Sequence, residues 1–369
     1  LHVYTRITAG TEVYGLDTVT VLSVSLVASA LALVTLMLLA PRIGWLDKPD
    51  EVRKVHARPV PPVGGLAWFC GLAAALLGSG LAGAGLLPLL IAIAGLVLIG
   101  AIDDRFPLSS ALRFVFQAGV VLVLMVAAGF GLRDLGGVLG GTSLALGVLA
   151  VPMTVFACVG VINATNMVDG MDGVAGGLLA ILFGAIWLLA GERVEGTVAL
   201  FALIALLPFL AANVRLPWQP RARVFFGDCG SMSAGLLVAW LLVSATQGAD
   251  RAFAPVTALF LFALPLIDTV SIMLRRVSEG RSPFSPDQNH IHHLLMRLGL
   301  TVPQTWTVMM LTALLLVGLG VGLERLGVAE WQRAVLFLGL ALIYHRSVVV
   351  GLRAGRLWGR PLLTMLMRA

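Results

Sequence analysis

The chain has 369 residues, of which 59% are hydrophobic and 12% charged, with a mean hydropathy of +0.98 and a formal net charge of +6. Soluble domains carry about a quarter charged residues, so a water-soluble fold is excluded. The positive balance does not point to nucleic acid, because it resides in the loops of one side of a membrane bundle and suits anionic lipid headgroups.

In chain order, residues 1–16 are polar enough to form an external tail. No small-residue cleavage signal follows the first apolar run, which is therefore expected as a retained helix. Apolar runs long enough to cross a hydrocarbon core predict spans over 17–40, 63–79, 85–102, 111–130, 143–162, 174–190, 196–213, 231–246, 253–274, 304–323 and 332–350. The loops after the first, third, fifth, seventh, ninth and eleventh spans hold roughly nineteen Lys/Arg and the others roughly six. The richer side is read as cytoplasmic, which puts the N-terminus outside and residues 351–369 in a cytoplasmic tail, with 17–350 as one transmembrane domain. The expected fold class is an all-α integral membrane protein, a polytopic bundle of about eleven helices with an active site at the cytoplasmic face. Cys70, Cys158 and Cys229 have no paired spacing, so neither a disulfide framework nor a thiolate zinc site is implied. No 20–50-residue repeat is evident.

Asp47, Asp50, Glu51, Asp103, Asp104, Asp169, Asp172, Asp228, Glu279 and Asp287 all fall in the cytoplasmic segments, with few acids expected on the other side. Carboxylates at the ends of several helices suggest a shared polar cleft, against the alternative of separately solvated loop charges. In AIDDRFPLSSALR, Asp103 and Asp104 repel unless a divalent cation or a base such as Arg113 offsets them; alone, the pair also suits a helix cap. In VINATNMVDGMDGVAGG, the oxygen-bearing Asn163, Asn166, Asp169 and Asp172 recur every third residue, drifting about 60° per step around a helix end. Such hard ligands suit magnesium, and equally a polar turn with Asx hydrogen bonds.

In RVFFGDCGSMSAG, Asp228 sits between glycines just before a span, with Ser231 available to cap that helix. A helix start beside a carboxylate-held metal would grip a diphosphate from two directions. In EGRSPFSPDQNHIHHLLMRLG, His290, His292 and His293 invite a zinc reading, but His292 and His293 face different ways and no cysteine is near. They are better read, with Arg281, as donors to phosphate or sugar oxygens.

With LDKPDEVRKVHARPVPPVGG, AIDDRFPL, NATNMVDGMDGVAGG, FFGDCGS and SPFSPDQNHIHH in this order over residues 46–293, the chain resembles the polyprenyl-phosphate N-acetylhexosamine-1-phosphate transferase family. The histidine loop and RKVH resemble its WecA type more than its MraY type. The resemblance implies transfer of N-acetylglucosamine-1-phosphate from UDP-GlcNAc to undecaprenyl phosphate with release of UMP, beginning O-antigen or a related surface polysaccharide. It implies Mg2+, with Mn2+ as the alternative ion, held by Asp228 and Asn166. Asp169 and Asp172 would line the nucleotide and diphosphate site, Asp103 and Asp104 would assist the lipid phosphate, and Arg113 would stand near the phosphates. Arg281 and His290 to His293 would cover the sugar-phosphate end, while Lys54 and His56 would contact phosphate. The implied partners are a UDP-sugar, a polyprenyl phosphate and the bilayer of the bacterial inner membrane, with no nucleic acid, and a homo-oligomer is left open. The polar extension Leu1–Gly15 and the position of Cys229 are the departures from the family pattern.

The alternatives are the same reaction with another UDP-N-acetylhexosamine, a non-catalytic lipid-binding scaffold, or a secondary transporter. A transporter should carry ionisable residues near the bilayer midplane on broken helices. Asp268, beside Pro265 and Leu266 in a ninth helix expected to be broken, comes nearest to that.

Overall fold

The protein is described by a computed structural model covering residues 16–47, 59–283 and 289–358. Among these residues it is all-helical, with isolated β-bridges in place of strands. The helices are α1 (Thr18–Leu39), α2 (Gly64–Gly78), α3 (Leu87–Arg105), α4 (Ser110–Ala128), α5 (Ala150–Val168), α6 (Val174–Ala190), α7 (Val194–Asn213), α8 (Gly227–Ser244), α9 (Pro255–Leu261), α10 (Ala263–Ser278), α11 (Ile291–Arg297), α12 (Val302–Arg325) and α13 (Glu330–Trp358). Among the described residues eight segments are long and apolar enough to cross a membrane, and α9 with α10 makes a ninth, bent by 83°. The shorter α2 and α6, of 15 and 17 residues, account for the other two predicted spans. The chain is a polytopic membrane protein.

The bend falls at Phe262, whose backbone leaves the helical region. Pro265 has no N–H for the carbonyl of Leu261, four residues earlier, so the helix restarts there instead of continuing. The predicted span over 253–274 is thus two helices. The span expected from residue 143 begins as α5 at residue 150, after a loop closed by the Asp134–Ala145 bridge and a single 3-10 turn.

Three other boundaries shift by the same cause. The apolar pattern ends at residues 102 and 162 and resumes at 231, yet α3 runs on through Asp103 and Asp104, α5 through Asn163 and Asn166, and α8 starts early enough to contain Asp228. Polar side chains stay helical at membrane depth when a neighbouring helix supplies their partners.

Helix α8 is the centre of the bundle, packed on α2, α3 and α5, with every residue from Cys229 to Val243 buried. Between lipid-soluble helices the hydrophobic drive is weak, so close packing and polar contacts carry association. Gly100 of α3 lies so near α8 that a Cβ there would come within 2.4 Å of the Cys229 Cα. On the other flank, Ser25 and Ser29 of α1 donate to the carbonyls of Gly71 and Ala205 at 3.0 and 2.7 Å, and Trp68 Nε1 to that of Ala202 at 3.1 Å.

Candidate active site

At the end of α3, Pro107 prevents continuation and Phe106 is extended, so the chain turns sharply into α4. Asp103 is buried in that corner. Its Oδ1 accepts the N–H of Leu108 at 2.7 Å and its Oδ2 meets Arg113 Nη1 at 3.0 Å. The same Arg113 nitrogen lies 3.9 Å from Asp228 Oδ2.

Asp104 reaches across to α8, where its two oxygens accept the backbone N–H groups of Asp228 and Cys229 at 2.8 and 3.2 Å. These are helix-start donors with no partner inside α8, so Asp104 is a cap delivered by another helix. The approach depends on Gly227, with a φ of 79°, where a Cβ would stand 2.7 Å from Asp104 Oδ2 and 2.8 Å from the Pro62 carbonyl. Ser231, expected to cap α8, instead donates to the Gly227 carbonyl inside that helix at 3.0 Å.

From α5, Asn166 Nδ2 donates to Asp228 Oδ1 at 2.6 Å and to Ser231 Oγ at 2.8 Å. The rest of its three-residue series fans out. Asn163 donates to Gln117 Oε1 on α4 at 2.7 Å, whereas Asp172 Oδ2 is held by Arg215 Nε at 2.7 Å and the N–H of Ala222 at 3.2 Å. Asp169, just past the end of α5, bears on both Asp228 and Asp172. Burial, with those two charges, pushes its carboxyl up to about 7. The turn from Asp169 to α6 is stapled by Asn213, which accepts the N–H of Gly173 and donates to the Val224 carbonyl, and by Trp306, which donates to the Gly173 carbonyl at 2.9 Å.

The histidines pack on this turn. A Cβ on Gly170 would lie 2.8 Å from His292 Nε2, so the ring sits directly against the residue after Asp169. His292 is buried, neither ring nitrogen has a hydrogen-bond partner among the described residues, and burial beside His293 and His290 drives its imidazole down to about 2. It is a neutral ring with one donor and one acceptor to offer. His290 gives Nδ1 to Asp268 Oδ2 at 2.8 Å, which leaves Nε2 for any ligand. Arg281 pairs with Glu279 Oε2 at 2.5 Å at the exposed end of α10. Lys54 and His56, with Asp50, Glu51 and Asp287, lie outside the described residues.

The expectation that few acids lie on the far side is corrected. Asp134, Asp250, Glu324 and Glu330 gather at the opposite end, where Asp250 pairs with Arg193, Glu330 with Arg251 and Glu324 with Arg333. What separates the near side is that carboxylates from several helices meet there instead of each pairing with its own arginine. Asp103, Asp104, Asp169, Asp172 and Asp228 converge there, and among the described residues Arg113 and Arg215 are paired with them. Sequence reasoning missed Arg215, Gln117 and Asn213, each of which pairs with a residue far away in the chain.

The oxygen-only donor set with excess negative charge fits magnesium and not a thiolate-seeking ion. No three His, Cys, Asp or Glu side chains among the described residues form a ready-made cage.

Carboxylates, two arginines and a histidine segment thus meet at the ends of α3, α5, α8 and α11, in a chain with sequence relatives. Residues 86–246 match glycosyl transferase family 4. The undecaprenyl-phosphate alpha-N-acetylglucosaminyl 1-phosphate transferase of Yersinia pestis is 42% identical over 325 residues, covering 86% of this chain and 87% of that protein. The same-named proteins of Escherichia coli K12 and Haemophilus influenzae are 40% and 38% identical, over 83% and 91% of this chain and 84% and 95% of their own lengths. The chain belongs to the polyprenyl-phosphate N-acetylhexosamine-1-phosphate transferase family, WecA type. In this transferase the family match covers α3 to α8, the stretch that carries Asp103, Asp104, Asn166 and Asp228 on its helices and Asp169 and Asp172 in the α5–α6 turn. The histidine segment lies beyond it, within the length shared with the transferases of these bacteria.

Proposed function

We propose that this transferase moves N-acetylglucosamine-1-phosphate from UDP-GlcNAc to undecaprenyl phosphate, releasing UMP, at the cytoplasmic surface of the bacterial inner membrane. The observation that carries the reading is the meeting of Asp104 of α3, Asn166 of α5 and Asp228 of α8 within hydrogen-bond distance at one end of the bundle. The basic loops of that end support a cytoplasmic placement, with the N-terminus periplasmic and the C-terminus cytoplasmic.

Both reactants are anions, so the first obstacle is repulsion, and the rest is positioning. Asp228 and Asn166 would hold magnesium, which supplies charge neutralisation for the diphosphate when bound. Arg113, between Asp103 and Asp228, would meet phosphate oxygens, and the α5–α6 turn with Asp169 and Asp172 would meet the nucleotide end. The bonding of Asp103 and Asp104 favours direct in-line attack by the lipid phosphate over an aspartyl-phosphate route. Each of their carboxylate oxygens already accepts a backbone N–H or meets Arg113, which holds both groups in place and lowers their nucleophilicity.

The acceptor is dissolved in lipid, and a narrow apolar crevice runs from Thr165 and Val168, beside Asn166, between α6, the α9–α10 bend and α12. Leu178, Phe262, Pro265 and Ala313 line it, an apolar wall of the kind a prenyl chain would require. A transporter reading loses its main support, because Asp268 is bonded to the histidine segment instead of standing free at mid-membrane.

The test is to incubate detergent-purified protein with undecaprenyl phosphate and a panel of UDP-sugars, with magnesium, manganese or neither, and to measure UMP. UMP release with UDP-GlcNAc that needs the divalent ion is expected. Release with another UDP-N-acetylhexosamine alone would reassign the donor, and none with any donor would sink the reading.

A further inference from the structure

The transfer chemistry leaves one buried acid unassigned. Asp268 lies on α10 a little beyond the Phe262 bend and is 2% exposed. A carboxylate at such depth is costly unless its oxygens are bonded. Both are. Oδ2 meets His290 Nδ1 at 2.8 Å, while Oδ1 accepts the Tyr344 hydroxyl at 2.6 Å and the N–H of Ile291 at 3.2 Å. One side chain thus ties together α10, the residue that precedes α11, the first N–H of α11, and α13.

A carboxylate oxygen that accepts from His290 places the ring proton on Nδ1 and turns Nε2 to other partners; the 2.8 Å contact fits that arrangement. The His290 ring lies nearly parallel to that of His292, with centroids 5.6 Å apart and planes 9° from one another. His292 in turn rests on Gly170, beside Asp169. The setting of His290 is therefore passed by direct packing to the turn that carries two of the site carboxylates.

We propose that Asp268 is a positioning residue for the transfer. It fixes the tautomer and tilt of His290 and anchors the start of α11, so the histidine segment is held against the α5–α6 turn, and Tyr344 of α13 braces it. The role rests on the transferase reading; the bonds themselves do not.

Asp268→Asn tests it with almost no change of shape. The amide oxygen can still accept from Tyr344 or Ile291, but the new NH2 faces Nδ1 and demands a lone pair there, which moves the ring proton to Nε2. The measurements are 15N spectra of histidine-labelled full-length protein, with His290 assigned by the signal lost in His290→Gln, and UMP-release kinetics on the same samples. Wild type is expected to show a protonated Nδ1 and Asp268→Asn a bare one. The variant's kcat should fall on the order of 10- to 100-fold, as for loss of a histidine's orienting partner, with KM for UDP-GlcNAc changed by less than about threefold. Tyr344→Phe should keep the wild-type tautomer and lose less of kcat.

Should Asp268→Asn not fold, the wild-type spectrum and Tyr344→Phe still decide. A bare Nδ1 in wild type, a tautomer altered by Tyr344→Phe, or a folded Asp268→Asn with wild-type kcat would each overturn the proposal. Wild-type protein with a protonated Nδ1 but no UMP release would instead overturn the transferase reading, and with it the role, while the pairing of Asp268 with His290 stood.

Discussion

The carboxylate of Asp104 caps α8 by accepting the N–H of Asp228 at 2.8 Å, so the residue that sets where α8 starts belongs to another helix. Asn in its place offers one accepting oxygen for two helix-start donors and turns an NH2 toward them. Asp104→Asn should therefore cost about 1–2 kcal/mol of stability, in the range for a lost helix cap. It should also shift Asp228 enough to lower UMP release on the order of 10²-fold. Thermal unfolding in detergent and UMP assays on the same preparation check both; wild-type turnover would show that the cap is not needed to place Asp228.

Asp228 sits where α3, α4 and α5 all reach it, through Asp104, Arg113 and Asn166. Asp228→Asn keeps the size of the side chain and removes its charge, leaving Arg113 to Asp103 alone. UMP release by folded protein should drop on the order of 10²- to 10³-fold or more, as for removal of a main electrostatic stabiliser. The residual activity should no longer respond to magnesium titration. A magnesium response like that of wild type would remove Asp228 from the metal assignment.

The helices were legible because lipid imposes long apolar runs, and Pro265 announced the break between α9 and α10. The motif residues were legible by chemical type but not by partner. Asn163 and Asn166 look equivalent in sequence, yet three residues on a helix separate them by about 60°, enough to point one at Gln117 and the other at Asp228. Asp104 lies 124 residues from the N–H it caps, a pairing no local pattern contains. Asp268 resembled a transport acid for the same reason, since its partner His290 comes after the α10 helix has ended.

The raised Asp169 carboxyl gives the pH dependence a definite sign. Its usual value is 3.8, and burial with Asp228 and Asp172 lifts it to about 7, so between those values the folded protein holds a proton that the unfolded chain has lost. Stability from this group is complete below pH 3.8 and is lost as pH rises through 7. Asp169→Asn cannot ionise. Between pH 5 and 8, in about that range and without divalent ions, wild-type melting temperature should fall relative to the variant. A difference between the two that stays constant with pH would refute the assignment.

Gly100 and Gly95 stand on the same helix and separate packing from helix propensity. A methyl group at Gly100 would lie 2.4 Å from the Cys229 Cα and 2.5 Å from its nitrogen, so α3 and α8 must move apart just where Asp104 caps α8. At Gly95 the nearest atom outside the local backbone is Val120 Cγ2 at 3.9 Å, an ordinary contact. Gly100→Ala should therefore destabilise by about 1–3 kcal/mol, the usual cost of overpacking, and lower UMP release through Asp104. Gly95→Ala should be neutral or stabilising by up to about 1 kcal/mol from the better helix former, with turnover unchanged. Thermal melts of the pair decide the matter: equal effects would mean that the close approach of α3 to α8 is not what holds the carboxylates together.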